Sequence, residues 1–515
     1  MKTKKNQWLW KGTVCALVIG LLAGSLMGCA ASRDEAVMDG GGIDDISGIL
    51  GEGASGTLAD QSQFFENPFV STAERPISTF SADVDTASYG LFRKLVSGGR
   101  NLTELQNQSR SFRTEEMVNY FSYDYPTPEA GEVFGHKATV IPSPWNEETY
   151  LMVLGLATEP IREKGANNLV FLIDVSGSMA SEDKLPLLQT AFSTLVSALD
   201  ERDTVSIVTY SGNEAVILDG VTGDRDEEIL SAVRGLRASG ATNGQSGLQK
   251  AYELAAKHFL ARGNNRIILA SDGDLNVGIS SPEELKNYIS AKRNEGIYLS
   301  VMGFGTGNYR DDTMSALAQN GNGVYYYIDC AAEAEKVMGK DLLSTLYTVA
   351  KDVKLQISFE PTCVSEYRLI GYENRLLSTE DFNDDTKDGG EVGAGHSLTV
   401  CYELKLTEAA TAATEEPSKL GTLAMRYQPP AGGDSTLREI PLTAALLTTT
   451  PDSDAKFVSV VIRMAMILHK SEYLVKETTV VDLVSELNEL DLNDDGEKQE
   501  FATLLTKLLP QAIGD

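Results

Sequence analysis

The chain has 515 residues, with 44 Lys and Arg against 74 Asp and Glu, and a formal net charge of −30 at pH 7. A length of this order predicts about two to four domains. The acidic balance argues against nucleic acid as a partner, because phosphates require a basic protein face.

The N-terminus has the pattern of an export signal. Four lysines precede or flank the start of an uncharged apolar run at 12–27, which is too short to span a bilayer comfortably. The run leads into LMGC at 26–29, which resembles a bacterial lipobox. That resemblance implies removal of residues 1–28 and acylation of Cys29, and two or three acyl chains hold a protein on a membrane. We therefore expect a lipid-anchored, extracytoplasmic protein of the cell envelope, at the outer membrane or cell surface. The alternative is an ordinary signal or an uncleaved anchor.

Residues 29–63 are rich in Gly, Asp, Ser and Ala, and this composition predicts a flexible tether because it cannot bury enough apolar surface to fold. Folded structure is expected from residue 64. Between 64 and 166 the pattern indicates a strand, two helices and two further strands at 137–141 and 150–156.

From 167 to 346, near-continuous apolar runs alternate with amphipathic stretches. This pattern predicts a Rossmann-like α/β domain with a mostly parallel sheet and helices on both faces. The strands are expected at 169–173, 205–210, 215–218, 266–270, 297–303 and 324–328. The short SGNE connection between the second and third of these predicts one antiparallel edge strand.

From 347 to 450, alternating strands separated by turn-rich loops predict a β-sandwich. Residues 451–515 predict three helices. The strands at 137–141 and 150–156 directly precede the α/β domain, so we expect them to join the sandwich and to make the α/β domain an insertion.

Polar side chains follow two of the predicted buried strands and occupy one Gly-rich loop. They are Asp174, Ser176 and Ser178 in FLIDVSGSM, Thr242 in SGATNG and Asp272 in LASDGD. Ligands bind at the carboxyl edge of an open α/β sheet, where such residues meet. Carboxylates and hydroxyls without Cys or His suit a hard divalent ion such as Mg²⁺ rather than zinc. A set of turn and cap residues with no metal is the alternative.

This pattern resembles the metal-ion-dependent adhesion site of von Willebrand factor type A domains, in which Asp-x-Ser-x-Ser is followed by a Thr and then an Asp. The resemblance implies Mg²⁺, or Mn²⁺ or Ca²⁺, with a free coordination position for the Asp or Glu of a protein partner. Longer runs, among them EEMVNYFSYDYP and VMGFGTGNYRDD, resemble a family of bacterial envelope lipoproteins that carry such a domain. In type A domains the last helix sometimes moves as affinity changes, and here it would span about 331–346.

Two weaker patterns occur elsewhere in the chain. The GFGTG run at 303–307 lacks the GxGxxG spacing and a following Walker lysine, so we expect a strand-to-helix turn and no nucleotide. Asp491, Asn493 and Asp495 resemble half of an EF-hand loop, but its twelfth position is Ala502. An acidic turn and a weak Ca²⁺ site at 491–502 both stay open.

Cysteine and histidine offer little chemistry. Cys330, Cys363 and Cys401 remain after the signal and the lipobox. Cys363 and Cys401 are the pair if a disulfide forms, although buried free thiols are favoured. Neither HExxH nor GxSxG is present, and no His lies in the Ser motif to act as a base.

The sequence therefore predicts a membrane-anchored, non-enzymatic protein for adhesion or assembly. A structural envelope scaffold, whose metal only stabilises the domain, is the alternative. A metal-assisted hydrolase is the least favoured reading.

Overall fold

The computed structural model describes residues 65–161, 164–240, 245–273, 282–305, 311–385, 387, 389–412, 416–430, 432–492 and 494–509. The expected signal peptide, Cys29, the tether and Thr242 lie outside these residues. None of the helices in the described ranges is both long and apolar enough to cross a membrane.

The N-terminal segment supplies strands and helices to different parts of the molecule. Its elements are β1 (Val70–Ser71), β2 (Ile77–Ser81), α1 (Ala87–Ser97), α2 (Leu102–Gln106), α3 (Thr114–Asn119), β3 (Phe134–Pro142) and β4 (Tyr150–Thr158). Helix α2 begins with a capping box between Asn101 and Glu104, which satisfies two backbone N–H groups at its start.

The α/β domain follows as a regular alternation of strands and helices. Its strands are β5 (Asn167–Asp174), β6 (Thr204–Tyr210), β7 (Glu214–Thr222), β8 (Asn264–Ser271), β9 (Tyr298–Phe304) and β10 (Tyr325–Ile328). Its helices are α4 (Leu185–Val196), α5 (Asp226–Gly235), α6 (Gln245–Lys257), α7 (Pro282–Asn294), α8 (Asp311–Asn320), α9 (Ala331–Lys336) and α10 (Leu342–Leu346). The sheet order is β10-β9-β8-β5-β6-β7, and β7 is antiparallel to β6 while the other pairs are parallel. The Rossmann-like prediction and its antiparallel edge strand are confirmed.

The last helix of this domain spans 331–346 as predicted, but its middle has a different helical geometry. A π-helical turn at Val337–Asp341 separates α9 from α10, within the span predicted as a single helix. A turn with the wider i→i+5 spacing has no signature in a simple 3.6-residue hydrophobic period, which explains why the sequence did not reveal it.

The remaining elements complete two further β-sheets and a layer of helices. They are β11 (Thr348–Phe359), β12 (Val364–Ile370), β13 (Gly390–Gly393), β14 (Ser397–Leu406), α11 (Glu408–Thr411), β15 (Lys419–Gln428), β16 (Thr436–Thr443), α12 (Ser453–His469), α13 (Val480–Glu489) and α14 (Gly496–Lys507). One sheet has the order β1-β12-β14-β4-β3, and the other has β13-β11-β15-β16 with β2 also paired to β11. Phe80, Met152, Leu355 and Tyr402 are buried in the core that these sheets share.

The α/β domain is an insertion in this β scaffold. Strand β4, which precedes it, pairs with β14 from Ser397 to Leu404, and β3 pairs with β4. Strand β11 follows it directly and pairs with β2 and β15. The expectation that 137–141 and 150–156 join the sandwich is confirmed.

The N-terminal and C-terminal helices pack against each other. The ring centroids of Phe121 and Phe457 are 4.8 Å apart, and those of Tyr89 and Phe121 are 4.9 Å apart. Phe501 from α14 joins the same cluster at 5.6 Å from Phe121. The segment 64–166 therefore divides, since its strands join the sandwich whereas its helices join the helical layer.

Strand β13 lies inside a stretch that the sequence predicted as a polar loop. Its glycines allow close backbone approach, because a Cβ at Gly390 would meet the carbonyl of Ala82. Gly-rich strands lack the alternation of apolar side chains on which strand prediction depends.

Candidate metal centre

Asp174 is the last residue of β5, and its side chain is completely buried. Its Oδ1 accepts a hydrogen bond of 2.8 Å from the backbone N–H of Ser176, and Oδ2 accepts one of 3.4 Å from the Ser271 hydroxyl. The first contact is a turn in which an Asp side chain bonds to the backbone two residues on. It fixes the start of the serine loop at the carboxyl edge of the sheet.

The two serine hydroxyls of the motif lie together. The Oγ atoms of Ser176 and Ser178 are 2.9 Å apart. Ser176 is buried, whereas Ser178 is exposed to solvent. The pair therefore extends from the protein interior to the surface, on the same edge as Asp174.

Asp272 comes directly after β8, which lies beside β5 in the sheet. Its side chain is buried, and Oδ2 accepts a hydrogen bond of 2.8 Å from the Lys184 ammonium. Its other oxygen, Oδ1, is buried and has no hydrogen-bond partner among the described residues. Burying a carboxylate oxygen without a hydrogen-bond donor costs free energy, so we expect Oδ1 of Asp272 to contact a ligand.

The start of the Gly-rich segment SGATNG, the second segment of the motif, is held against the first. The N–H of Ser239 donates to the carbonyl of Val175 at 2.7 Å, and the N–H of Gly177 donates to the carbonyl of Gly240 at 3.0 Å. Gly240 has a positive φ of 84°, which favours glycine. Thr242 lies two residues further on, outside the described residues, so its contacts stay a prediction.

Burial raises the pKa of the Asp174 carboxyl to about 6, against the hydrogen bonds from Ser176 that favour its charged form. The charge of Asp272 adds to the increase. Burial likewise raises the pKa of Tyr210, whose second cause is the charge of Asp174. The structure thus brings two buried carboxyl groups together at the ends of β5 and β8, with Lys184 paired to one of them.

These donors fit a hard divalent cation. Two carboxylates and two hydroxyls supply only oxygen ligands, which is the chemistry that Mg²⁺, Mn²⁺ and Ca²⁺ prefer. The free Oδ1 of Asp272 is the structural observation that supports the fit. Asp174, Ser176, Ser178 and Asp272 are the described residues that would hold the ion.

Sequence reasoning missed three neighbours of this site, which are Lys184, Tyr210 and Ser271. Ser271 could have been found because it immediately precedes Asp272. Tyr210 ends β6, so the same carboxyl-edge argument covers it. Lys184 carries no motif of its own, and only the fold brings it to Asp272.

Helix α1 borders the same edge of the sheet. Arg93 is buried and donates to Asp329, which follows β10, at 2.9 Å and to Glu333 at 2.8 Å. The neighbouring Lys94 donates to Asp183 at 3.0 Å, next to the serine loop. Because Asp183 directly precedes Lys184, the N-terminal segment reaches the surroundings of the candidate site.

A second acidic group lies apart from the motif. Ligand atoms of Asp83, Asp85 and Glu116, all buried, are within 4.8 Å of one another. Arg375 pairs with Asp83 at 2.7 Å and with Asp85 at 3.3 Å, and Arg113 pairs with Glu116 at 2.9 Å. These cations give the group the character of a buried ion-pair network that links the N-terminal segment to the sandwich.

The weaker sequence patterns have structural explanations. Gly305 follows β9 with a positive φ of 75°, and its carbonyl accepts from the Tyr327 hydroxyl at 2.9 Å. Asp495 caps α14 by accepting from the N–H groups of Glu497 and Lys498. That contact agrees with the acidic turn, while Asn493 lies outside the described residues.

The thiols of Cys330, Cys363 and Cys401 are free, and Cys363 and Cys401 are buried. The preference for buried free thiols is confirmed for these two residues. Burial raises the pKa of Cys401, which makes its thiol an unreactive one.

Comparison with known families divides the chain into three matched regions. Residues 168–340 match the von Willebrand factor type A domain, and residues 59–153 match a family described as von Willebrand factor. Residues 344–509 match the family described as uncharacterized protein YfbK, C-terminal.

Individual proteins show the same relationships. The chain is 39% identical over 434 residues to uncharacterized protein YfbK of Escherichia coli K12, covering 80% of this chain and 74% of that protein. It is 27% identical over 269 residues to human inter-alpha-trypsin inhibitor heavy chain H3, covering 48% of this chain and 29% of that protein. A solved von Willebrand factor type A structure from Catenulispora acidiphila aligns with a TM-score of 0.40 and 16% identity, over 65% of this chain and 79% of that one.

Proposed function

Since the chain belongs to the family of the E. coli protein YfbK and contains a von Willebrand factor type A domain, we propose that it is a metal-dependent protein-binding module for adhesion or assembly. A divalent ion, Mg²⁺ or else Mn²⁺ or Ca²⁺, is the proposed cofactor. Its proposed ligands are Asp174, Ser176, Ser178, Thr242 and Asp272.

The observation that carries this proposal is the environment of Asp272. Its Oδ1 is buried without a partner in the described part of the chain, beside the paired hydroxyls and the buried carboxyl of Asp174. A bound divalent ion supplies a coordination position for a carboxylate oxygen of the partner. Both serine ligands are neutral and add no negative charge to that of the two carboxylates, so the loaded site can accept an Asp or Glu of that partner.

The proposal includes no catalytic role. In the described residues, the hydroxyls of Ser176 and Ser178 contact each other and no histidine hydrogen-bonds to either. A hydroxyl without a base remains a weak nucleophile. Type A domains are typically interaction modules, which agrees with this assignment.

We further propose that the protein works at the cell envelope, anchored through lipidated Cys29. The support is the sequence pattern at 12–29. Cells fed a labelled fatty acid are expected to incorporate the label into the wild type and not into Cys29→Ser. A wild type that carries no label would refute the lipid anchor.

The binding proposal is tested by affinity capture from detergent-solubilised envelope with the full-length chain. The arms are Mg²⁺, EDTA, Asp174→Ala with Mg²⁺, and Asp200→Ala with Mg²⁺. Asp200 is the matched control because its carboxylate is only partly buried, precedes β6 at the opposite edge of the sheet and pairs with Arg202.

A partner captured with Mg²⁺ and with Asp200→Ala, but lost with EDTA and with Asp174→Ala, is the expected result. Equal capture in all four arms would overturn the proposal. It would support the alternative, in which the ion only stabilises the domain and the sandwich and helices make the contacts.

A further inference from the structure

Lys184 links the two loops that carry the candidate ligands. Its ammonium donates to Oδ2 of Asp272 at 2.8 Å and to the carbonyl of Ser178 at 2.8 Å. Its side chain is only 14% exposed, so the charge is held at the site rather than in solvent. Lys184 directly precedes α4, whose packing against the sheet fixes the start of the side chain.

Gly305 provides the room for this lysine. A Cβ at Gly305 would lie 2.3 Å from Cε of Lys184, closer than two carbon atoms can approach. The Tyr327 hydroxyl holds the Gly305 carbonyl in place at 2.9 Å. These contacts give Gly305 a role in positioning Lys184, one that the resemblance of its sequence to a phosphate loop did not suggest.

The charges of the site follow from these contacts. Asp174 and Asp272 contribute two negative charges when ionised, and Lys184 contributes one positive charge. With a divalent ion, the sum is positive by one unit, and a partner carboxylate brings it to zero. Without Lys184, the loaded site would be neutral, and a partner carboxylate would leave it negative.

We propose that Lys184 is a specificity-determining residue of this site, which weakens binding of the divalent ion and strengthens capture of a carboxylate by the loaded site. The inference rests on the proposed function. Like charges in a partly buried site repel strongly, so the lysine and the ion compete for the same carboxylates. The same positive charge attracts an anionic partner, and its sign selects acidic over neutral side chains.

The test measures the two affinities separately on the detergent-solubilised full-length protein. Binding of Mg²⁺ alone is followed by titration calorimetry for the wild type, Lys184→Met and Lys94→Met. Lys94 is the matched control because its ammonium lies nearby on Asp183, which is not a proposed ligand. N-acetylglutamic acid amide is then titrated into the Mg²⁺-saturated proteins and followed by its NMR line width, with N-acetylglutamine amide as the neutral probe.

We expect Lys184→Met to bind Mg²⁺ about tenfold more tightly and the glutamate probe several-fold more weakly, whereas Lys94→Met should change neither constant appreciably. If Lys184 acted only as a structural bridge between the two loops, its removal would loosen them and weaken Mg²⁺ binding, which is the opposite result. Unchanged or weaker Mg²⁺ binding in Lys184→Met therefore overturns the inference.

Two further variants keep the test decisive. Lys184→Arg retains the charge and should resemble the wild type. If Lys184→Met does not fold, Lys184→Gln removes the charge but keeps a polar side chain, and it should tighten Mg²⁺ binding in the same direction. A wild type that binds no Mg²⁺ would defeat the proposed function as well, whereas wild-type Mg²⁺ binding without tightening in these variants would defeat only the role of Lys184.

Discussion

Asp272 divides its two carboxylate oxygens between different surroundings. One oxygen bonds to Lys184 at 2.8 Å, and the other is buried without a donor among the described residues. The sequence identified Asp272 from its place after an apolar strand, but it could not identify Lys184, 88 positions earlier in the chain. Contacts between loops that follow different strands depend on the fold, so the motif indicates the candidate ligands but gives no sign of the lysine that pairs with one of them.

Glu115 shows a different kind of buried carboxyl. Its side chain is buried in α3, its Oε2 has no hydrogen-bond partner in the described ranges, and burial raises its pKa well above the ordinary value. A carboxyl whose folded-state pKa exceeds its unfolded value contributes stability at low pH and loses it as pH rises. The Glu115→Gln variant has no carboxyl to ionise at this position. Its melting temperature should therefore exceed that of the wild type at pH 8 and exceed it little or not at all at pH 5.

Melting temperatures across this pH range provide the measurement. Glu104→Gln is the control with the opposite sign, because a hydrogen bond from the backbone N–H of Asn101 lowers the pKa of Glu104. The Glu104→Gln variant should therefore be less stable than the wild type at pH 8. A Glu115→Gln variant that is less stable than the wild type at pH 8 would show that the carboxylate has a compensating partner.

At the scale of elements, Arg93 fastens α1 to the end of the α/β sheet. Its guanidinium is buried with Asp329 and Glu333, and it also reaches Glu500 of α14 at 3.1 Å. Arg93→Met would leave two buried carboxylates without their cation. We expect a loss of about 3–5 kcal/mol in the free energy of unfolding, measured by urea denaturation.

Arg100 offers the comparison within the same region of the chain. Its ion pair with Glu104 is exposed, at 55% and 38% for the two side chains. Arg100→Met should therefore cost no more than about 0.5 kcal/mol. If Arg93→Met and Arg100→Met reduced the free energy of unfolding equally, burial would not explain how much the ion pairs of Arg93 stabilise the protein.

The elements themselves were largely predictable. The strands of the α/β domain are runs of apolar residues long enough to be recognised, and the predicted ends of β5 and β8 lie within two residues of the observed ends. The helix α2 and the strand β13 were not predicted, because one has five residues and the other is half glycine. Short elements are defined by their tertiary contacts rather than by a periodic pattern.

At the scale of the whole molecule, the chain ends fold together. Helices α1 and α3 share an aromatic core with α12 and α14, while the opposite face of the α/β sheet has a separate core. Sequence analysis placed the first and last segments in different units, since residues more than 300 positions apart leave no joint pattern. Only the three-dimensional structure reveals that the helical layer is built from both the N-terminal and the C-terminal segments.

Removal of residues 451–515 should therefore unfold the N-terminal helices. Hydrogen–deuterium exchange of the truncated protein should show loss of protection in α1 and α3, with β5 and β8 still protected. Wild-type protection of α1 in the truncated protein would contradict the shared core. Truncation before residue 65 is the control and should leave all four elements protected.

The two ends of the inserted domain are adjacent. The Tyr347 hydroxyl, just before β11, donates to the Gly165 carbonyl, just before β5, at 3.2 Å. When the two ends of an inserted domain lie close together, the flanking strands need hardly move to accommodate it. In evolutionary terms the α/β domain is a cassette, and a different domain with equally close ends could replace it while β4 and β11 keep their places in the scaffold. The inserted domain and the scaffold can then diverge independently, each under its own selection.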